Sequence, residues 1–388
     1  MGKALADHAA EKERAEREAA ALQARLERQR EDAQRRAHAG ELRRLLSAEN
    51  HRQQSLAIVR DLVAMAEPPK LTPAAKPPAR APRHTSVLLT GDWQVGQLTK
   101  MGPTGGMFEQ TTKIAQRQVR QMWGIVETLH RLQTAAKLID ELVLFDLGDM
   151  VEGDQMRPSQ AAEVDAPVTR QAVDVFDMQA WLLNQALALF RKVRFLKIPG
   201  NHDRTSHRPG NAGLGELSYI DSYSWLLGEM LRRMFERSID AGRLELVNNE
   251  SFFGTTEIAN LRTVYEHGSS FKTSTGSYGG VPFYPIANAA RGYKEMLDGA
   301  DLIIFGHHHK AMLLPMNGGW GWQVLNGALP PSSSWIQSNF KGYGRPQQAM
   351  LDVHHEKGVT GWHPIYLEQA EHMRPGQYWK KHGKDAAA

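Results

Sequence analysis

Cysteine is absent from the 388 residues. That excludes a disulfide framework, a thiolate metal site and a cysteine nucleophile. Long apolar runs are missing too, so the sequence predicts no membrane-spanning helix and no membrane partner. The opening Met1-Gly2-Lys3-Ala4-Leu5-Ala6-Asp7-His8 is too polar for a secretory leader, and Ala6 stands where a myristoylation signal needs a hydroxyl residue. A cytoplasmic protein is expected. Net charge is small, at +4. It is also uneven: residues 1–85 hold 17 Lys+Arg against 12 Asp+Glu, and the remainder 30 against 31. The basic excess therefore belongs to the N-terminal segment, and any site further along must focus charge locally.

What is present falls into four stretches. Residues 1–65 are rich in helix formers, with acid-before-base pairs such as Glu13–Arg17, Glu31–Arg35 and Asp32–Arg36 at i,i+4. The apolar stripe is thin, since Leu22, Leu26, Ala33 and Ala37 fit a heptad seam that Leu42, Leu45 and Leu46 leave. A charged helix or weak coiled coil is expected, offering a route to a homo-oligomer. Residues 66–85 are a Pro/Ala-rich linker, extended and unable to build a core. Residues 86–370 alternate short apolar runs with amphipathic segments, the mark of an α/β domain. Strands are expected at Ser86–Thr90, Leu142–Leu147, Val193–Ile198, Leu244–Val247, Leu261–Tyr265 and Leu302–Phe305. Helices are expected along the Ile114–Leu132 face and over Val175–Phe190 and Leu217–Phe235. Residues 371–388 read as a basic tail.

Five polar clusters follow these strands, where α/β folds place ligands. They are Gly91-Asp92-Trp93-Gln94, Gly148-Asp149, Gly200-Asn201-His202-Asp203, Glu266-His267-Gly268 and Gly306-His307-His308-His309. Carboxylates, imidazoles and an amide oxygen form a donor set for divalent metals. Taken singly, each has an ordinary explanation: a turn, a solvated ring or a structural histidine. Five in this order at strand exits point to a metal site. Trp93 and His308 read as packing or solvent-facing.

The order and spelling resemble the calcineurin-like metallophosphoesterases, whose pattern is Asp-x-His, Gly-Asp, Gly-Asn-His-Asp/Glu, His and Gly-His-x-His. The resemblance implies a four-layer α-β-β-α sandwich of two mixed sheets flanked by helices, here preceded by the long N-terminal helix, and a site for two metals. By similarity Asp149 bridges both ions. Asp92, Gln94 and His309 hold one, and Asn201, His267 and His307 the other. His202 is then the uncoordinated acid, oriented by Asp203. Gln94 departs from the pattern, which has His there. An amide oxygen is harder than an imidazole nitrogen, so Mn²⁺ is expected ahead of Mg²⁺, Zn²⁺ or Fe²⁺.

The donor set implies hydrolysis of a phosphate ester with a metal-activated water as nucleophile, which needs no cysteine. For the substrate, Arg204 adjoins the Asn-His motif, and Trp335 and Lys341 lie in a stretch of interleaved aromatic and basic residues suited to stacked bases and phosphates. A nuclease acting on DNA or RNA is expected, and the texture looks like nuclease-type members from phage and prophage genomes. Two other readings remain. One is a phosphatase or phosphodiesterase on small nucleotides or phosphoproteins, and the other a non-catalytic scaffold with a relic metal site.

Overall fold

The computed structural model describes residues 81–156, 159–205, 219–271, 277–278, 280–316, 321–340 and 342–367. The expected N-terminal helix and basic tail lie outside them. The first sheet runs in the order β13-β12-β1-β2-β3-β4. Its strands are β1 (Arg83–Thr90), β2 (Leu138–Asp146), β3 (Lys192–Lys197), β4 (Leu244–Asn248), β12 (Gln347–His354) and β13 (Gly358–Tyr366). Strands β1 to β4 are parallel, while β12 and β13 are antiparallel additions. The second sheet, β10-β11-β9-β6-β5, comprises β5 (Phe253–Ile258), β6 (Leu261–Glu266), β9 (Leu302–Phe305), β10 (Met312–Pro315) and β11 (Trp322–Leu325). Here β6, β9 and β11 are parallel and β5 and β10 antiparallel. A two-stranded ribbon, β7 (Ser277–Tyr278) with β8 (Val281–Pro282), completes the strands.

Apolar alternation explains how the sheets pack. Val87, Leu89, Val143, Phe145 and Leu196 from the first sheet meet Ile258, Tyr265, Ile304 and Val324 from the second in one buried cluster. Each such fully buried aliphatic side chain stabilises the fold by roughly 1.5–3 kcal/mol relative to exposure. The parallel strands β1, β2 and β9 are buried on both faces over most of their length, which is why they read as apolar runs, whereas β4 alternates at the sheet edge. Helices α1 (Thr112–Thr134) and α2 (Val168–Leu189) carry apolar stripes that include Val119, Met122 and Val126, and Val175, Leu183 and Leu187. On the second sheet, α5 (Phe283–Met296) lays Ile286, Ala290 and Tyr293 over Val264, Ile303 and Phe305. The architecture is therefore an α/β fold of two mixed sheets flanked by helices. No helix among the described residues is long and apolar enough to cross a membrane.

Three boundaries differ from expectation. Strand β1 starts at Arg83, inside the stretch read as linker. Helix α2 begins at Val168, just after Pro167, seven residues earlier than its apolar face suggested. Helix α3 (Tyr223–Met234) starts later than the expected Leu217, because the Ser222 hydroxyl accepts from the Trp225 amide and caps it there. The short α4 (Glu236–Asp240) follows it, and α6 (Ser334–Phe340) lies between β11 and β12.

Candidate metal centre

Each predicted ligand follows a strand end, and the turns that present them are strained. Asp92, Gln94, Asp149, His307 and His309 all adopt positive φ, between 45° and 66°. Non-glycine residues avoid this region, at a cost of order 1–3 kcal/mol each, and such strain concentrates at functional sites. Glycines beside them are required by close approach. A Cβ on Gly148 would lie 2.3 Å from the Gly200 nitrogen, and one on Gly200 would lie 2.0 Å from Asp149 Oδ1. The loops also tie to each other, since the Asp92 amide donates to the Gly148 carbonyl (2.8 Å) and the Gln94 amide to the Asp149 carbonyl (2.9 Å).

The side chains converge in two groups. Around Asp149, the His267 Nε2 atom lies 3.1 Å from Asp149 Oδ2 and 2.9 Å from Asn201 Oδ1. The ligand atoms of Asp149, His267 and His307 lie within 4.8 Å of one another. In the second group, His309 Nε2 is 3.3 Å from Asp92 Oδ1 and 3.4 Å from the Gln94 amide nitrogen. Turning that amide over would place its oxygen in the same spot, a choice set by the partner. The outer oxygens are committed: Asp149 Oδ1 accepts from the His202 amide (2.7 Å) and Asp92 Oδ2 from the His307 amide (2.9 Å).

The match to the calcineurin-like phosphoesterase family model spans residues 85–311, from β1 through His309 and more than half of the chain. The chain belongs to that family. Among solved structures, this phosphoesterase is similar to an archaeal phosphodiesterase at 12% identity, covering 73% of this chain and 99% of that one, with a TM-score of 0.32. It is also similar to a hypothetical protein from Pyrococcus horikoshii (13% identity, 79% and 94% covered, TM-score 0.34). A third likeness is wild-type Vps29 from Entamoeba histolytica complexed with zinc (13% identity, 73% and 99% covered, TM-score 0.28). No curated protein matches the chain.

The family typically binds divalent metals, and the residues of this phosphoesterase fit such ions. Asp92 Oδ1 and Asp149 Oδ2 are buried without a hydrogen-bond partner among the described residues, although imidazole nitrogens stand 3.3 and 3.1 Å away. Carboxylate oxygens and imidazole nitrogens held this close together are a donor set that a divalent cation satisfies. His267 is prepared for that role. Its Nδ1–H donates to the Leu147 carbonyl (2.7 Å), which leaves Nε2 to face Asp149.

The electrostatics agree. Burial opposes a proton on His267, but the Asp149 carboxylate outweighs it and pushes the pKa up to about 10. Burial likewise disfavours ionised Asp149, yet the surrounding imidazoles hold its carboxyl below the usual range. His307 is held well below the ordinary imidazole range by burial, with His267 reinforcing the effect. His308 is brought down to about 4, mainly by burial, and stacks on Phe271 at 6.0 Å. It packs, as does the fully buried Trp93.

Asp203 corrects the sequence expectation. It does not orient His202. Its carboxylate accepts from the backbone amides of Gly200 (2.8 Å), Asp149 (2.8 Å), Met150 (3.0 Å) and Val151 (3.3 Å). Both oxygens are thus spent on the two turns that present Asp149 and Asn201. Burial, with Asp149 and Asp146 nearby, moves its pKa up to about 6, against the pull of the Gly200 amide. His202 is oriented by Glu152, whose carbonyl lies 2.6 Å from His202 Nδ1. Its Nε2 faces Asp149 Oδ2 at 4.0 Å. Burial works against a proton on His202, and the Asp149 and Glu152 carboxylates outweigh it and raise its pKa.

The sequence reading also passed over a set of buried glutamines. The fully buried Gln160 amide donates to the Glu152 carbonyl (2.8 Å) and side chain (2.9 Å), and its oxygen accepts from the Met156 amide (2.7 Å). Gln348 accepts from the Gly91 amide (3.1 Å) and donates to the Gly91 carbonyl (3.2 Å). Gln171 accepts from the Gly153 amide (3.0 Å), and Gln179 donates to Asp146 (2.8 Å). Asp146 in turn takes the Gly148 amide (3.0 Å) and pairs with the buried Lys197 ammonium. A polar residue inside gives no periodic signal, so only its partners reveal it. Of the three expected substrate contacts, Arg204 forms a backbone bridge with Ser222. Trp335 lies in α6 with its side chain outside the described residues, and Lys341 is itself outside them.

Proposed function

We propose that this phosphoesterase hydrolyses phosphodiester bonds in nucleic acid, DNA or RNA, as a nuclease related to phage-type members, with two divalent ions and Mn²⁺ as the preferred metal. The observation that carries the reading is the arrangement at Asp149. One buried carboxylate oxygen is faced by the ring nitrogens of His267 and His202, with Asn201 and His307 beside it. Asn201, His267 and His307 would hold one ion, Asp92, Gln94 and His309 the other, with Asp149 shared. When bound, such a pair supplies Lewis-acid activation of the phosphoryl group and a nucleophilic water near neutral pH.

The chain's own groups do the rest. The Glu152 carbonyl takes the Nδ1–H of His202, which leaves Nε2 as the nitrogen turned into the site. Against burial, the Asp149 and Glu152 carboxylates raise its pKa in the metal-free centre, and a proton on Nε2 would stabilise the phosphoryl oxygens or pass to the leaving oxygen. Burial weighs first on Asp149, His202, His267 and His307, and after it these groups act chiefly on one another, with the Glu152 and Asp92 carboxylates beside them. The basic excess in residues 1–85 gives a polyanion a tether outside the near-neutral domain.

Purified protein with Mn²⁺ should be offered linear duplex, single-stranded DNA, RNA, cyclic nucleotides and a phosphomonoester. Cleavage of a polynucleotide, lost in His202→Ala without loss of fold, is the expected result. Hydrolysis of the monoester alone overturns the nuclease reading.

A further inference from the structure

We propose that Phe252 and Tyr219 form a stacking platform for the nucleobase beside the scissile phosphate, an inference that rests on the nucleic-acid reading above. Register places Phe252. Strand β5 runs antiparallel to β6 with Phe253 opposite Glu266, so Phe252 precedes the ladder at the same end where His267 follows it. At antiparallel spacing the terminal pair, Phe253 and Glu266, is about 5 Å apart between backbones.

Tyr219 arrives from a separate stretch of the chain. The stretch 219–223 folds back on the turn that carries His202. The Thr205 amide donates to the Asp221 carbonyl (3.3 Å), the Tyr223 amide to the Asp203 carbonyl (2.7 Å), and Arg204 bridges Ser222. The two rings meet at 6.4 Å between centroids. One ring therefore lies beside a stretch tied to the turn of the proton carrier, and the other just ahead of the strand that pairs with β6.

The platform is braced from behind. Phe252 packs edge-on against Phe253 at 4.9 Å, and Phe253 lies 5.2 Å from Tyr293. Tyr293 donates its hydroxyl to the buried Glu266, the residue before His267. Phe252 itself stays 53% exposed at the end of this row. The nearby acid Glu250 accepts from the Trp225 indole N–H (3.1 Å). A braced, exposed ring at the end of the ladder that leads into His267 suits a base, because every base offers a π-face and stacking tolerates any sequence.

The test uses the full-length protein with Mn²⁺ and compares binding of thymidine 5′-monophosphate with deoxyribose 5-phosphate by titration calorimetry. Wild type should favour the nucleotide. Phe252→Ala should weaken nucleotide binding about tenfold, within the range that alanine substitution of stacking residues produces. Phe252→Trp should retain it, and the sugar phosphate should bind all three proteins equally. Unchanged nucleotide binding, or an equal loss for both ligands, overturns the platform. So does a drop in assembled mass for Phe252→Ala in light scattering, which would make this sheet edge a contact with a second copy. Nucleotide preference that depends on Phe252, in an enzyme that cuts no polynucleotide, supports the platform and overturns the nucleic-acid reading alone.

Discussion

The Nδ1 atom of His202 lies 2.6 Å from the carbonyl oxygen of Glu152, and the buried Gln160 amide donates to that same carbonyl from 2.8 Å. Gln160 thereby acts through Glu152 on the ring as a positioning residue. Gln160→Leu should lower kcat about tenfold or more, since small misplacements of a catalytic group are costly. KM and metal affinity should stay near wild type. Gln160→Glu, which can accept from the Met156 amide but cannot donate to the carbonyl, should not restore kcat. An unchanged kcat in Gln160→Leu, measured at saturating substrate, removes the positioning role.

Asp203 should act on stability and on both turns at once. Asp203→Ala strands buried backbone donors at Gly200, Asp149 and Met150, each worth about 1–3 kcal/mol unsatisfied. Urea denaturation should show a loss of about 3 kcal/mol or more, with weaker metal binding by calorimetry. His202→Ala should lose activity with little change in the urea midpoint. Equal stability losses in the two variants would contradict this division of labour.

Metal uptake should displace a proton. In metal-stripped protein burial disfavours the imidazolium of His267, Asp149 outweighs it, and the pKa reaches about 10. A folded pKa above the unfolded value of 6.5 stabilises fully below pH 6.5, and that contribution is lost as pH rises towards about 10. Stripped protein should therefore lose stability between pH 7 and 10, and His267→Ala should flatten the slope. A ligating imidazole must be neutral, so binding at pH 7–8 should release about one proton. Calorimetry in buffers of different ionisation enthalpy measures it.

Lys197 sits in the first sheet with its ammonium against Asp146, both buried. Removing one partner leaves an uncompensated charge, which typically costs about 3–5 kcal/mol. Lys197→Met should show a loss of that size in denaturant. Because Asp146 also holds the Gly148 amide, metal affinity should fall too. The double change Lys197→Met with Asp146→Leu should recover only part of that stability, because it strands the Gly148 and Gln179 amides, and should not recover affinity. Recovery of both would mean that the Gly148 turn needs no carboxylate.

Much of the fold was legible because of burial on both faces. Val87–Leu89 and Leu302–Phe305 are unbroken apolar runs, and strands occupy both places. Strand β5, with Gly254, Thr255, Thr256 and Glu257, escaped because it is a sheet edge with one wet face. The ligand turns were legible through glycines whose neighbours leave no room for a Cβ, as at Gly148 and Gly200. The role of Asp203 was not. A carboxylate bonded to backbone amides depends on how two turns meet in space, and no spacing in the chain encodes that.

The glutamine struts have a consequence for how the centre responds to its surroundings. Gln348, Gln171 and Gln160 brace their loops through neutral amides, which neither gain nor lose protons over the working range of any protein. The imidazoles they surround do change charge. The glutamine struts therefore keep their geometry while the centre is recharged, by protons or by metal. The part of the frame that acid reaches is the Asp203 carboxylate under the two turns, with its pKa at about 6. Acid should act on this enzyme at its histidines and at Asp203, and not at the amides that brace the loops.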